Sequence, residues 1–270
     1  MNTISRHHFR IIMNSVAYYL ASYIIIYLLF QLVTASTAVF FNIPAILYHN
    51  KILFIVDANS WTFDSVKMVF SSGCIISLVI ALACLVVFIK AMTLEGTLKL
   101  LFFWGFVHGI NMFVGSVVLG AFIYEGMGYV YEWMYFKETE RMLLLFLGLL
   151  VILGTGSILV KPMYLTANSY YNSSRHEARK AFKLYQFFYP YLISTIVIIL
   201  LRLPLSLYEL LLIITPGFIL LPLFFGIHRN TIFFFDEKEK SIGLKVKAVA
   251  IAILLLVAFR VAMGIGIRLG

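Results

Sequence analysis

With 62% hydrophobic and 12% charged residues in a chain of 270, the sequence lies outside the soluble globular range, where about half the residues are apolar and about a quarter charged. A formal charge of +9 would suggest nucleic acid in a soluble protein, but the pattern contains no nucleic-acid module. In a membrane protein a basic balance instead marks topology and contact with anionic headgroups.

The fold class is an all-α membrane protein, a polytopic bundle. It forms one integral membrane domain, 1–270, because spans of about 20 residues leave no connection long enough for a second folded unit. Seven spans are predicted, at about 16–37, 73–92, 100–123, 142–160, 186–203, 208–227 and 246–267. Backbone groups cannot go unpaired in hydrocarbon, so the spans are helices.

The chain begins with Arg6, His7, His8 and Arg10 ahead of an apolar run from Val16 to Val33. That run exceeds the roughly 7 to 15 residues of a signal-peptide core, which predicts an uncleaved first span. The connection that follows has its own grammar. From Ile43 to Val56, apolar residues flank a polar turn at His49, Asn50 and Lys51, with Pro44 at the entry, as in a β-hairpin. Asn59 and Ser60 then offer an N-cap to an amphipathic segment, Trp61 to Phe70, suited to the interface. The expectation is a lid of surface structure on the bundle. Cys74 and Cys84 sit ten residues apart on the second span, about 15 Å by helical rise, too far for a disulfide.

The third span carries His108, Asn111 and four glycines. On a helical wheel His108, Asn111 and Gly115 share one face, a candidate polar membrane site. Gly105, Gly109, Ser116 and Gly120 form an adjoining smooth stripe for helix packing, and Phe103, Phe106, Ile110, Phe113 and Val117 point away, toward lipid. His108 lies about 12 Å of helical rise inside the span, too deep to snorkel, so it needs a hydrogen-bond partner or a wet cavity. Asn111, Gln31, Asn14, Thr155 and Ser157 are the candidate partners.

Beyond it, Tyr129, Tyr131, Trp133 and Tyr135 read as an interfacial belt, with Gly126 and Gly128 marking the helix break. Gly148, Gly154 and Gly156 make span four a second smooth helix. In the next connection Ser174 and Glu177 spell a capping box. Arg175, Arg179 and Lys183 follow at spacings of four, with Lys180 beside them, a face for anionic lipid. Spans five and six form a hairpin through Pro204 and Ser206, and Thr215, Pro216 and Gly217 predict a kink in span six. The connection holding Asp236, Glu237, Lys238, Glu239 and Lys240 reads as a solvated turn. Arg260, about 10 Å from the outer end of span seven, is placed to snorkel to the interface.

Counting Lys and Arg in the connections puts 14 on the side of the N-terminus and 6 on the other, with Arg260 inside the last span, which recovers all 21. The positive-inside rule then predicts N-terminus inside and C-terminus outside. The short connections and lack of targeting tails point to a bacterial cytoplasmic (inner) membrane.

Chemistry is sparse. A zinc-protease helix needs H-E-x-x-H, but Gly109 stands where the general base would be and Met112 where the second histidine ligand would be. No catalytic, metal or cofactor site is predicted. Proton relays inside membranes use buried Asp, Glu and His, whereas Glu125 and Glu209 lie at the predicted outer boundary. Three function classes follow. The first is a non-enzymatic accessory, assembly or scaffold subunit. The second is a small transporter or lipid-handling protein with a cavity near His108, Asn111 and Pro216, and the third is a degenerate intramembrane-protease-like protein. The expected partners are membrane lipids, anionic headgroups on the cytoplasmic side, and a membrane protein or a second copy of the chain; nucleic acid is not among them.

Overall fold

The computed structural model describes residues 3–91, 96–166, 176–225 and 243–270. Seven helices among them are long and apolar enough to cross a membrane: Arg6–Phe40, Phe63–Ala91, Lys99–Ile123, Glu138–Tyr164, Arg179–Arg202, Leu207–Phe225 and Val246–Ile265. By length and composition they suggest a multi-pass membrane protein.

Helix α1 (Thr3–Phe40) has 38 residues. At 1.5 Å per residue it is about 57 Å long, so it overhangs a hydrocarbon core of about 30 Å. After α1 come strands β1 (Ala45–Leu47) and β2 (Ile52–Phe54), which pair antiparallel with Ile46 opposite Leu53, the expected hairpin. Helix α2 (Phe63–Ala91) begins where Thr62 and Ser65 exchange cap hydrogen bonds and then runs unbroken. The predicted amphipathic segment is therefore the first two turns of span two and not a separate element. No proline interrupts it, and Gly73 lies at the crossing with α1, where an added Cβ would meet Thr34 Oγ1 at 2.3 Å.

Helix α3 (Lys99–Ile110), a π-helical turn over Asn111–Gly115 and helix α4 (Ser116–Ile123) form the third span. In this span 78% of the apolar window is buried, against 17–44% in the other six. The predicted lipid face is not one: Phe103, Phe106 and Ile110 are all buried. Apolar side chains carry no mark that separates lipid from protein neighbours. The smooth stripe faces α2 and the short α5 (Met127–Trp133): a Cβ on Gly105 would lie 2.8 Å from Cys84 Sγ, one on Gly109 2.7 Å from the Ser77 carbonyl, and one on Gly120 2.6 Å from the Gly128 nitrogen. The next span is α6 (Glu138–Leu165). Then α7 (His176–Lys183), a second π-helical turn at Leu184–Phe188 and α8 (Tyr189–Arg202) form span five.

Helices α9 (Leu207–Ile214) and α10 (Pro216–Phe225) are span six, broken at Thr215, and α11 (Val246–Ile265) is span seven. A proline has no N–H, so each one inside a helix frees the carbonyl four residues earlier. Pro216 frees Leu212, whose oxygen accepts from Asn111 Nδ2 at 2.8 Å and Thr215 Oγ1 at 2.9 Å. Pro190 frees Gln186, whose oxygen accepts from Ser15 Oγ at 2.8 Å, while Trp104 Nε1 donates to that hydroxyl at 3.0 Å. The kinks thus fasten span six to span three and span five to span one. Asn14 ties the start of α11 to α1, donating to the Gly243 carbonyl and accepting from the Lys245 N–H.

Span seven was predicted to reach Ile267. It stops at Ile265, because Gly266 has φ 86° and turns the chain into strand β3 (Ile267–Leu269), which pairs antiparallel with β1. The sheet order is β2-β1-β3. A free strand edge needs partners, and the last residues of the chain supply them.

Replacing Gly109 with alanine is expected to lower stability by about 1–3 kcal/mol, since the Ser77 carbonyl in its way is backbone and cannot swing aside. Gly154 has nothing within 4 Å of an added Cβ, so Gly154→Ala should be neutral or gain a few tenths of a kcal/mol. Unfolding of the two variants in detergent compares them; equal stability would contradict the packing geometry.

A charged cavity at the hairpin end of the bundle

The third span places His108 at the centre of the bundle, 1% exposed. Its ring meets Tyr19 edge-on at 4.3 Å between centroids and Tyr23 at 5.3 Å, and it hydrogen-bonds the backbone of Tyr19. His108 Nε2 has no partner. Four of the expected partners are committed elsewhere: Asn111 to Leu212, Asn14 to Gly243 and Lys245, Gln31 to the Tyr27 hydroxyl, and Ser157 to the Leu153 carbonyl. Neither of the two described cavities is lined by His108 or Asn111.

The remaining predicted residues scatter. Gly115 sits in the π-helical turn, where a Cβ would meet Asn111 Oδ1 at 3.0 Å, and Ser116 is buried. Arg260 is on the exposed side of α11, outside any polar cluster. On α7, Lys180 is exposed, Arg179 is half-buried, and the Lys183 ammonium lies 5.9 Å over the Tyr164 ring. Arg175, with the capping box expected at Ser174, and the acidic and basic turn at 236–240 lie outside the described residues.

The densest polar chemistry is at the other end of α8. Arg202 is one of the six basic residues that the count of connections places on the outer side, yet it is 2% exposed. Its Nη1 donates to the Tyr23 hydroxyl at 2.9 Å, and Nη2 reaches the Tyr27 hydroxyl at 2.7 Å, the Asn50 carbonyl at 2.9 Å and Glu209 Oε1 at 2.9 Å. Nε donates to the His49 carbonyl at 3.3 Å, and the guanidinium stacks 4.0 Å from the centre of the Tyr27 ring. A planar fork of five donors suits such a convergence, which a lysine could not reproduce.

Each partner is delivered by local structure. Tyr19, Tyr23, Tyr27 and Gln31 recur every four residues and so run along one face of α1. The hairpin turn brings in the His49 and Asn50 carbonyls. The same turn is fastened to the α8–α9 connection, where Asn50 Nδ2 donates to the Pro204 carbonyl at 2.8 Å and His49 Nε2 is 3.0 Å from the Leu203 carbonyl. Glu209 is the third helical residue of α9. Its Oε2 accepts from the Ser206 N–H while its own N–H donates to Ser206 Oγ, a capping box that fixes the carboxylate beside Arg202. Ser206 Oγ in turn donates to Glu125 Oε2 at 3.1 Å.

Above this cluster lies a cavity of about 510 Å³, bounded by the hairpin, α1, α2, the α4–α5 turn and α9. Arg202, Glu209, Lys51, Glu125 and Gln31 supply its polar lining, and Phe30, Phe54, Phe70, Tyr129, Met112 and Leu212 its apolar walls. The volume is in the range of sites that take a small molecule. At the edge of the cavity, burial pushes the Tyr129 phenol up from its ordinary value, with Glu125 and Glu132 adding to the shift. A smaller, apolar recess of about 270 Å³ lies between α8 and α10, lined by Tyr191, Gly217 and Phe224 among others.

Sequence reasoning missed Arg202, Glu209, Tyr23 and Tyr27. The four-residue spacing of tyrosines toward Gln31 was the available signal, together with an arginine and a glutamate on either side of a Pro-Leu-Ser turn. Compared with known families, curated proteins and solved structures, the chain matches no family model, no curated sequence and no solved structure.

Removing one partner of a buried ion pair strands the other, so Arg202→Met is expected to cost about 3–5 kcal/mol, and the double variant Arg202→Met/Glu209→Gln less than Arg202→Met alone. Denaturation of wild type, Arg202→Met, Glu209→Gln and the double variant in detergent checks this; a double variant as unstable as the sum of the two single changes would contradict a direct pair. Asn111→Leu leaves the Leu212 carbonyl to Thr215 alone and should cost about 1–3 kcal/mol by the same assay.

Proposed function

We propose that this chain is a non-enzymatic lipid-handling protein that holds an amphiphile in the cavity beneath the hairpin. The observation that carries the reading is the cavity itself. Its volume of about 510 Å³ places charged side chains at one end of a membrane-spanning bundle beside walls of phenylalanine, leucine and methionine. A water-soluble ligand has no use for such walls, and a purely apolar one would leave Lys51 and Glu125 unmet. The ligand's head belongs near the polar lining and its tail along Phe30, Phe54 and Phe70.

The membrane is the cytoplasmic one, with the hairpin end outside. In support, the connections at that end carry the smaller share of lysine and arginine, and the chain alternates so that the first, third and fifth connections share it. An accessory role beside another membrane protein is compatible with holding a lipid, and the site defined here is the part that can be assayed in isolation.

Ile52 lines the cavity from β2, and a strand position accepts a tryptophan. Ile52→Trp should fill the cavity and reduce the amphiphile retained on purification in mild detergent at least tenfold, read by mass spectrometry of the intact complex, with melting unchanged. Equal retention in wild type and variant would overturn the proposal.

A further inference from the structure

We infer that the ligand of the hairpin-end cavity is zwitterionic, carrying a phosphate or carboxylate close to a protonated amine; this rests on the amphiphile reading above. Four charged side chains line the cavity: Lys51, Arg202, Glu125 and Glu209. Arg202 and Glu209 are paired at 2.9 Å, and every Arg202 nitrogen is also hydrogen-bonded within the cluster, to Tyr23, Tyr27 and two hairpin carbonyls. That leaves one cation and one anion. Lys51 is exposed at the hairpin turn and forms no ion pair among the described residues. Glu125 accepts from Ser206 Oγ and likewise has no ion-pair partner among the described residues.

The two belong to different walls, the β1–β2 turn and the α4–α5 turn, and both act electrostatically on the Glu209 carboxylate, which lines the same cavity. An anionic headgroup would meet Lys51 but face Glu125 as a like charge in a half-desolvated space, and a cationic one would reverse the problem. A zwitterion satisfies both at once. A third feature sets the kind of amine. Gln31 lines the cavity at 3% exposure and its Oε1 has no partner among the described residues, while its Nε2 is held by the Tyr27 hydroxyl. With the Glu125 carboxylate, this gives two acceptors for an ammonium that carries N–H groups, chemistry that a quaternary amine cannot use. A phosphoethanolamine group has the required pair of charges, whether on a lipid or as a free solute.

The full chain, delipidated in detergent, is titrated with short-chain lipids bearing phosphoethanolamine, phosphoglycerol or trimethylammonium heads, and with free phosphoethanolamine, with binding read by native mass spectrometry. The phosphoethanolamine lipid should bind at least tenfold tighter than the other two. Lys51→Ala and Glu125→Gln should each weaken it about tenfold, the loss of one charge-assisted contact. Glu125→Gln keeps an acceptor for Ser206, and Lys51 is exposed, so melting should not move. Equal binding of the anionic or cationic lipid, or wild-type affinity in both variants, overturns the zwitterion assignment and leaves the amphiphile reading standing. Free phosphoethanolamine binding as tightly as its lipid supports the zwitterion and overturns the amphiphile reading. Binding of none of the four overturns both.

Discussion

The buried guanidinium of Arg202 is the interaction on which the hairpin end depends. A charge removed from water must be matched by geometry good enough to replace hydration, and here five acceptors from three segments of the chain converge on it. Two are tyrosine hydroxyls of the first helix, two are carbonyls of the hairpin turn, and one is a carboxylate held by the capping box of α9. Without the cation, the hairpin would rest on the bundle through apolar contact, the Asn50 and His49 side-chain links to the α8–α9 turn, the hydrogen bond from the His49 N–H to the Met263 carbonyl, and those from Tyr27 and Gln31 to the Asn50 and Tyr48 carbonyls. With it, the hairpin, α1 and the α8–α9 turn share one fixed point, and β1 is positioned to receive the C-terminal strand.

The same demand, that polar groups in a dry environment find partners, organises the bundle interior. Pro190 and Pro216 each free a carbonyl, and in each case a side chain from a neighbouring span donates to it. The prolines therefore serve as attachment points as well as kinks. The third span takes part in both, through Trp104 by way of Ser15 and through Asn111 directly, which accounts for its burial on nearly every side. Its glycines let α2 and α5 approach so closely that a methyl group has no room.

Much of the fold was legible in the sequence. Seven apolar runs gave seven helices, and the polar turn at His49 to Lys51 gave the hairpin, because hydrophobic length and turn chemistry are local properties. What escaped was set by partners distant in the chain. Arg202 looks like an interfacial cation until Tyr23, Tyr27 and the hairpin carbonyls are placed around it, and Phe103 looks lipid-facing because a lipid tail and a leucine side chain offer the same surface. The C-terminal strand was hidden for a similar reason: three residues after Gly266 pair only because β1 presents a free edge. Within the third span, sequence reasoning picked out Asn111 correctly as polar and buried, but the group it serves, the Leu212 carbonyl, is identifiable only from Pro216 four residues further on in another span. His108 keeps an unpartnered nitrogen among aromatic rings and lies apart from the charged cavity.

The functional account rests on a preformed cavity whose roof is the hairpin and whose fixed point is Arg202. Hydrogen exchange of the backbone amides tests that dependence most directly, by comparing the wild-type chain with Arg202→Met in detergent. The account predicts that amides of β1 and β2 lose protection in the variant while those of α3 stay protected as in wild type. Hairpin amides that remain as protected as before, with Arg202 gone, would contradict it.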